Sequence, residues 1–158
     1  MEKEDLIDEI RARVPAVEGY AESLGDQTLA VRREGLVPLM AALRGTPFDY
    51  AVLLDLTCVD FLASEGRFEM VYHVFSLRRN RRLRVKVSLP GDNPVVDSLT
   101  GLWKNAEWLE REVFDMFGVG FMGHPDLRRI LMYEGFEGHP LRKSYPWRRE
   151  QPLLPRKD

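Results

Sequence analysis

Three stretches of this 158-residue chain bring chemistry-bearing side chains together. Gly118-Val119-Gly120-Phe121-Met122-Gly123 has the G-x-G-x-x-G spacing, in which glycines let backbone amides approach a pyrophosphate at a helix N-terminus. That chemistry needs a strand before the glycines and a helix after them. Here a helical pattern comes first and His124-Pro125 follows, so the glycines turn the chain out of a helix and the nucleotide site is rejected. Arg78, Arg79, Arg81, Arg82, Arg84 and Lys86 form the densest basic run, a pattern that neutralises phosphates when neighbouring aromatic rings stack on bases. No aromatic residue lies between Ser76 and Leu89, so the run reads as a solvated hairpin tip that protects a sheet edge, with protein or lipid contact ahead of nucleic acid. On a helix, Glu107, Arg111 and Asp115 stand four apart, with the arginine between two carboxylates. Each such exposed pair contributes about 0.3–0.5 kcal/mol.

The remaining reactive residues exclude more than they suggest. A single cysteine, Cys58, leaves no intrachain disulfide, no cysteine-rich zinc site and no iron–sulfur cluster held by four thiolates. It lies in an apolar run and reads as a small buried hydrophobe. His73, His124 and His139 share no helical i, i+4 spacing, and His73 reads as a hydrogen-bonded core histidine. No Ser/His/Asp set is suggested, and catalysis has no candidate nucleophile. Net charge is −2, which excludes a polycation built for nucleic acid. The balance is uneven: residues 1–10 hold five acids and one lysine, residues 142–158 six bases and two acids. Opposite charge at the two ends suggests macromolecular partners.

The elements that would position these residues follow from periodicity. Leu6, Ile7, Ile10 and Val14 share a helical face that Pro15 ends. Thr28 to Val31 reads as a strand, and Leu36 to Leu43 as a helix with Pro38 in its first turn. Tyr50–Val59, Phe68–Leu77 and Leu83–Leu89 read as three successive strands. Pro94 is expected to open a helix near Val95, and a further helix runs from Glu107 to Phe117, with Leu109, Val113, Met116 and Phe117 facing the core and Glu110 and Glu112 to the sides. In the hairpin around Asn80, pairing Leu77 with Leu83, Phe75 with Val85 and His73 with Val87 gathers the apolar residues on one face. The order points to an α+β single domain over 1–133, a largely antiparallel mixed sheet packed by helices on one face. Four of the chain's ten prolines lie in residues 140–158, and residues 134–158 read as an extended basic assembly tail. The longest apolar run, Leu36 to Leu43, is far short of the roughly 20 residues a membrane span needs. The acidic MEKEDLIDEI start is the opposite of a secretory n-region, so a cytoplasmic protein is expected.

The stretch Glu107 to Leu131 is the most informative. Glu110-Arg111-Glu112 runs into Asp115-Met116-Phe117-Gly118 and then Phe121 through Leu131, FMGHPDLRRIL. Upstream stand Asp55-Leu56-Thr57, Val59-Asp60, Arg67-Phe68-Glu69 and Tyr72-His73, and downstream Gly138-His139-Pro140-Leu141-Arg142-Lys143 with Tyr145-Pro146. Over Phe48 to Pro146 the chain closely resembles the 30 kDa subunit family of proton-translocating NADH:quinone oxidoreductase, respiratory complex I, with Gly120 a small departure from the signature. The resemblance implies a non-catalytic structural subunit of the hydrophilic arm with no flavin or cluster of its own, those groups being held by partner subunits. It implies that the chain braces the quinone-site and iron–sulfur subunits, and that it meets the membrane only through the complex, on the cytoplasmic side. Glu110, Arg111, Glu112, Asp115, His124, Asp126, Arg128, Arg129, His139, Arg142 and Lys143 are the candidates for contact with those partners. Related membrane-bound hydrogenases and ferredoxin-linked complexes use similar subunits, and a free-standing arginine-rich binding module is the reading from a different class.

Overall fold

The computed structural model describes residues 3–62 and 66–152, with side chains from residue 7 onward. The acidic start folds as α1 (Lys3–Arg13), which turns Ile7 and Ile10 inward, with Val14 buried just past its end; the side chain of Leu6, assigned to the same face, lies outside the described residues. A hairpin follows, β1 (Val17–Ser23) and β2 (Asp26–Val31), whose first strand the sequence reading missed. β1 has only Val17 buried and no apolar alternation, so periodicity carries no trace of it. A 3-10 turn at Arg33–Gly35 leads into α2 (Leu36–Arg44), which buries Leu36, Leu39, Met40 and Leu43. Gly35 is obligatory there, since a Cβ would stand 2.2 Å from the Cβ of Ala16.

Three long strands, β3 (Val52–Asp60), β4 (Phe68–Ser76) and β5 (Arg81–Leu89), complete a five-stranded mixed sheet of order β1-β2-β5-β4-β3, antiparallel except for the parallel β2–β5 pair. The expected α+β class and sheet character hold. Leu29, Leu83, Val85, Val87, Phe68, Met70, Tyr72, Val74, Leu56 and Cys58 share the face on which α1, α2 and the later helix pack, while His73, Arg84, Lys86 and Glu69 lie on the open face.

The β4–β5 register corrects the sequence reading. Tyr72 faces Val85 and Val74 faces Leu83, three places away from the expected pairs, so β5 keeps its core face and β4 is turned over. The cause is the turn: Ser76 pairs with Arg81, the four residues 77–80 close the hairpin with Asn80 at φ 49, and the Arg79 N–H donates to Ser76 Oγ. Leu77 therefore lies exposed, and His73 is half-buried beside Arg84 on the open face instead of in the core.

The helix expected near Val95 is a short strand, β6 (Val95–Asp97), pairing in parallel with β7 (Gly120–Met122). Gly120 permits that pairing, because a Cβ would meet Val95 Cγ2 at 3.3 Å. Between them runs α3 (Ala106–Phe117) along β3, with its entry pinned where Trp103 Nε1 donates to Ala51 O and Asn105 Nδ2 to Leu53 O. Beyond residue 133 the described chain has neither helix nor strand, as expected of a tail. Residues 138–144 are nevertheless bonded to the core. Among the described residues no helix is long and apolar enough to cross a membrane.

Candidate functional site

The charges of α3 organise everything that follows it in the chain. α3 has no basic residue in its last turn, so its C-terminal carbonyls need partners from elsewhere. The tail supplies them: His139 Nδ1–H donates to Asp115 O (2.9 Å), Leu141 N–H to Met116 O (3.1 Å), and Arg142 Nε to Phe117 O with Nη2 reaching Gly118 O. Gly118 sits at φ 72 in the left-handed region, where a Cβ would lie 2.5 Å from His139 Nε2 and 2.6 Å from Arg142 Nη2. The glycine spacing rejected as a nucleotide loop is thus a helix exit that lets the tail close over the helix end.

Asp115 is fully buried and accepts four hydrogen bonds. Oδ2 takes the N–H groups of Ile130 (3.0 Å), Leu131 (2.8 Å) and Met132 (2.8 Å), and Oδ1 takes Arg129 Nη1 (2.7 Å). Burial pushes its pKa up, but the Met132 N–H, the Arg129 guanidinium and the other two amides outweigh that and hold the carboxyl below its ordinary value. Arg129 continues to Gly138 O (2.9 Å), so a single carboxylate ties the 130–132 loop and the tail to the helix.

Arg111 does not pair with Glu107 and Asp115 as its spacing suggested. It is 5% exposed, donates from Nε to Arg128 O (3.1 Å) and from Nη2 to Arg129 O (3.0 Å), and stacks 5.2 Å from the Trp108 ring. The irregular loop around Leu127 and Arg128 offers carbonyls with no helix or strand partner, and the buried guanidinium satisfies two of them.

Glu110, expected at the side of the helix, is fully buried on its inner face. Its Oε1 accepts the Leu99 N–H (2.6 Å) and its Oε2 the Ser98 hydroxyl (2.6 Å), which fixes the loop after β6. Burial dominates here and raises the carboxyl pKa against those bonds. His124, whose side chain is also buried, accepts the Asp126 N–H at Nδ1 (3.0 Å), so Nε2 carries the hydrogen and donates to Glu107 O (3.0 Å).

A second clamp was absent from the expected site. Asp60, at the end of β3, takes Arg67 Nε and Nη2 at 3.0 Å each, the Leu62 N–H (2.9 Å) and the Lys143 N–H (2.9 Å). Arg67, helped by those amides, lowers the Asp60 carboxyl to about 2. Arg67 also donates to Ser144 Oγ, which joins the tail to the sheet. An acid seven residues before an arginine across a strand turn is the one sequence sign of this pair. Nearby, burial and Asp60 push the Cys58 thiol up to about 12, which leaves it a packed hydrophobe as expected.

Of the expected contact residues, Glu110, Arg111, Asp115 and His124 have their side chains bonded inside the fold, and Arg129, His139 and Arg142 hold the tail. Glu112, Asp126, Arg128 and Lys143 remain exposed, the middle two paired with each other at 2.8 Å. The sequence reading missed Trp108, 57% exposed on the outer face of α3. Among the described residues no three His, Cys, Asp or Glu side chains come together as a metal would need.

Comparison with known proteins matches residues 29–151 to the family described as respiratory-chain NADH dehydrogenase, 30 Kd subunit. The corresponding NADH-quinone oxidoreductase subunit of Roseiflexus sp. (strain RS-1) is 48% identical over 143 residues, 89% of this chain and 82% of that protein. Its counterpart in Caulobacter vibrioides is 45% identical over 139 residues, 87% of this chain and 70% of that one. Among solved structures, the trypsin-resistant fragment of Nqo5 superposes with a TM-score of 0.67 at 34% identity, covering 80% of this chain and all of the fragment. A chain of the membrane-bound sulfane sulfur reductase, an archaeal respiratory membrane complex, shares the fold with a TM-score of 0.69 at 24% identity over 82% of this chain and 75% of its own.

Proposed function

The chain belongs to the 30 kDa subunit family of respiratory-chain NADH dehydrogenase, and on that premise we propose that it is a non-catalytic brace in the peripheral arm of NADH:quinone oxidoreductase. In this reading it supports the quinone-site and iron–sulfur subunits on the cytoplasmic side of the membrane while electrons pass from NADH to quinone. The observation that carries the proposal is the internal use of the α3 charges. A catalytic or cofactor site keeps reactive groups facing a cleft. Here Glu110, Arg111, Asp115 and Asp60 are all spent on tying loops and tail to one helix and one strand. What they build is a rigid face, and rigidity lowers the ordering cost of association.

Flavin and iron–sulfur clusters are assigned to the partner subunits, in keeping with a chain that has one cysteine. Trp108 and Glu112, one helical turn apart and both exposed, are the proposed contact surface, because an exposed aromatic with a charged neighbour is a common anchor of interfaces. NADH is preferred to hydrogen or ferredoxin as donor because the relatives sharing 45–48% identity are NADH-quinone oxidoreductase subunits. The experiment is affinity purification of the tagged full chain from solubilised membranes, beside a Trp108→Ala, Glu112→Lys double variant. The expected result is recovery of the quinone-site and iron–sulfur subunits with the native chain and their loss with a variant that melts like it. Undiminished recovery with the variant overturns the assigned surface, and recovery of no redox subunit with the native chain overturns the function.

A further inference from the structure

The arginine hairpin is the largest charged feature that a bracing role leaves unused. Four of its six cations have internal partners. Arg78 reaches Asp49 Oδ2 (3.0 Å), Arg79 donates to Pro47 O, Arg84 donates to Asp26 Oδ2 (3.2 Å) and Thr28 Oγ1 (3.5 Å), and Lys86 pairs with Glu69 (2.8 Å). Beyond their places in the β4–β5 ladder, the side chains of Arg81 and Arg82 have no hydrogen-bond or ion-pair partner among the described residues. Both border hollows at one end of the open sheet face. Arg82 lines a pocket of about 80 Å³ with Asp26, Gln27, His73 and Arg84, and it shares with Arg81 and Asn80 an adjoining hollow of about 190 Å³.

The ladder fixes how the donors converge. His73 on β4 lies directly opposite Arg84 on β5, and Arg82 stands two residues earlier on the same face of β5, about 7 Å along the strand. Two guanidiniums and one imidazole thus surround one small cavity. Its single carboxylate, Asp26, is already engaged by Arg84. Nothing in the pocket neutralises Arg82. We propose that this hollow is a binding site for a small tetrahedral oxyanion of the phosphate class, held between Arg82 and Arg84 with His73 as the third donor. A flat carboxylate offers two oxygens in one plane, whereas donors arriving from two strands and from two positions along one of them match oxygens that point in several directions.

The site couples ligand to proton. His73 is held below its ordinary pKa by burial and by Arg84, with Arg82 acting in the same sense, while Asp55 on β3 and Asp26 on β2 act against them. An anion seated between the two arginines cancels their repulsion and stabilises the imidazolium, so its arrival draws a proton onto His73.

The test follows the imidazole resonances of His73 by NMR in the full chain between about pH 5 and 8. Titrations are run in inorganic phosphate, in sodium acetate and in sodium chloride at equal ionic strength. The expected result is a phosphate-specific movement of the His73 titration to higher pH, saturating with phosphate concentration, and an apparent affinity weakened about tenfold in Arg82→Ala. Arg82 is exposed, so its removal spares the core, and the amide spectrum of the variant checks the fold. A response that is equal in the three salts, or one that Arg82→Ala leaves intact, overturns the proposal.

Discussion

Asp115→Asn separates a structural carboxylate from a decorative one. The substitution keeps shape and removes one of two acceptor oxygens. The remaining oxygen serves either the three amides of 130–132 or the Arg129 guanidinium, and the new NH₂ group meets donors at the other site. If the oxygen stays with the amides, one charge-assisted bond of about 1.5–3 kcal/mol is lost, and the three amide bonds weaken as their acceptor loses its charge. The sum is about 3–5 kcal/mol, the scale for breaking a buried pair by removing one partner. For a chain of this length that lowers the melting temperature by about 10 °C or more. The pH dependence is the sharper check. The folded pKa of Asp115 lies below the ordinary 3.8, so its contribution is complete above that value and is lost as pH falls through the folded pKa. Urea unfolding of both proteins from neutral to acid pH should show a gap that is constant at neutrality and narrows in acid. A gap below about 1 kcal/mol at neutral pH, or one that does not narrow in acid, refutes the reasoning.

Glu110→Gln should be far milder, because burial raises the Glu110 pKa and its ionised form opposes folding at neutral pH. The variant keeps an acceptor for the Leu99 N–H, and the Ser98 hydroxyl accepts from the new amide, so urea unfolding at neutral pH should show a change within about 1 kcal/mol. Asp60→Asn should cost about 2.5 kcal/mol at neutral pH, from a carboxyl lowered from 3.8 to about 2. The native chain loses that contribution as pH falls from about 4 to about 2, visible as a gap to the variant that closes over that window. A chain ending at Glu137 loses the His139, Leu141, Arg142 and Lys143 bonds to the end of α3 and to Asp60, and its melting temperature should fall by about 5 °C or more. An unchanged melting temperature would show that the tail adds nothing to the domain.

The legible part of this fold is the part with period. β5 alternates Leu83, Val85, Val87 and Leu89 against Arg84 and Lys86, and α3 places Val113, Met116 and Phe117 inward, so both elements follow from spacing alone. β4 is apolar on both faces: Val71 and Phe75 stand on the open side and Met70, Tyr72 and Val74 on the core side. Spacing cannot choose between them, and the decision falls to Ser76 and a four-residue turn at Asn80. The charged helix fails to announce its geometry for a related reason. Glu107, Arg111 and Asp115 have the spacing of a surface stripe, yet two of the three are buried, because the loop that covers them carries no periodicity of its own. That loop brings the carbonyls of 128 and 129 to Arg111 and the amides of 130–132 to Asp115. Each side compensates the other: a buried charge without the loop costs several kcal/mol, and a loop of unpaired backbone groups without the charges costs about as much. The E-R-E…D helix and the D-L-R-R-I-L loop after it therefore form one structural unit, and a substitution in either half should be read by its effect on the other.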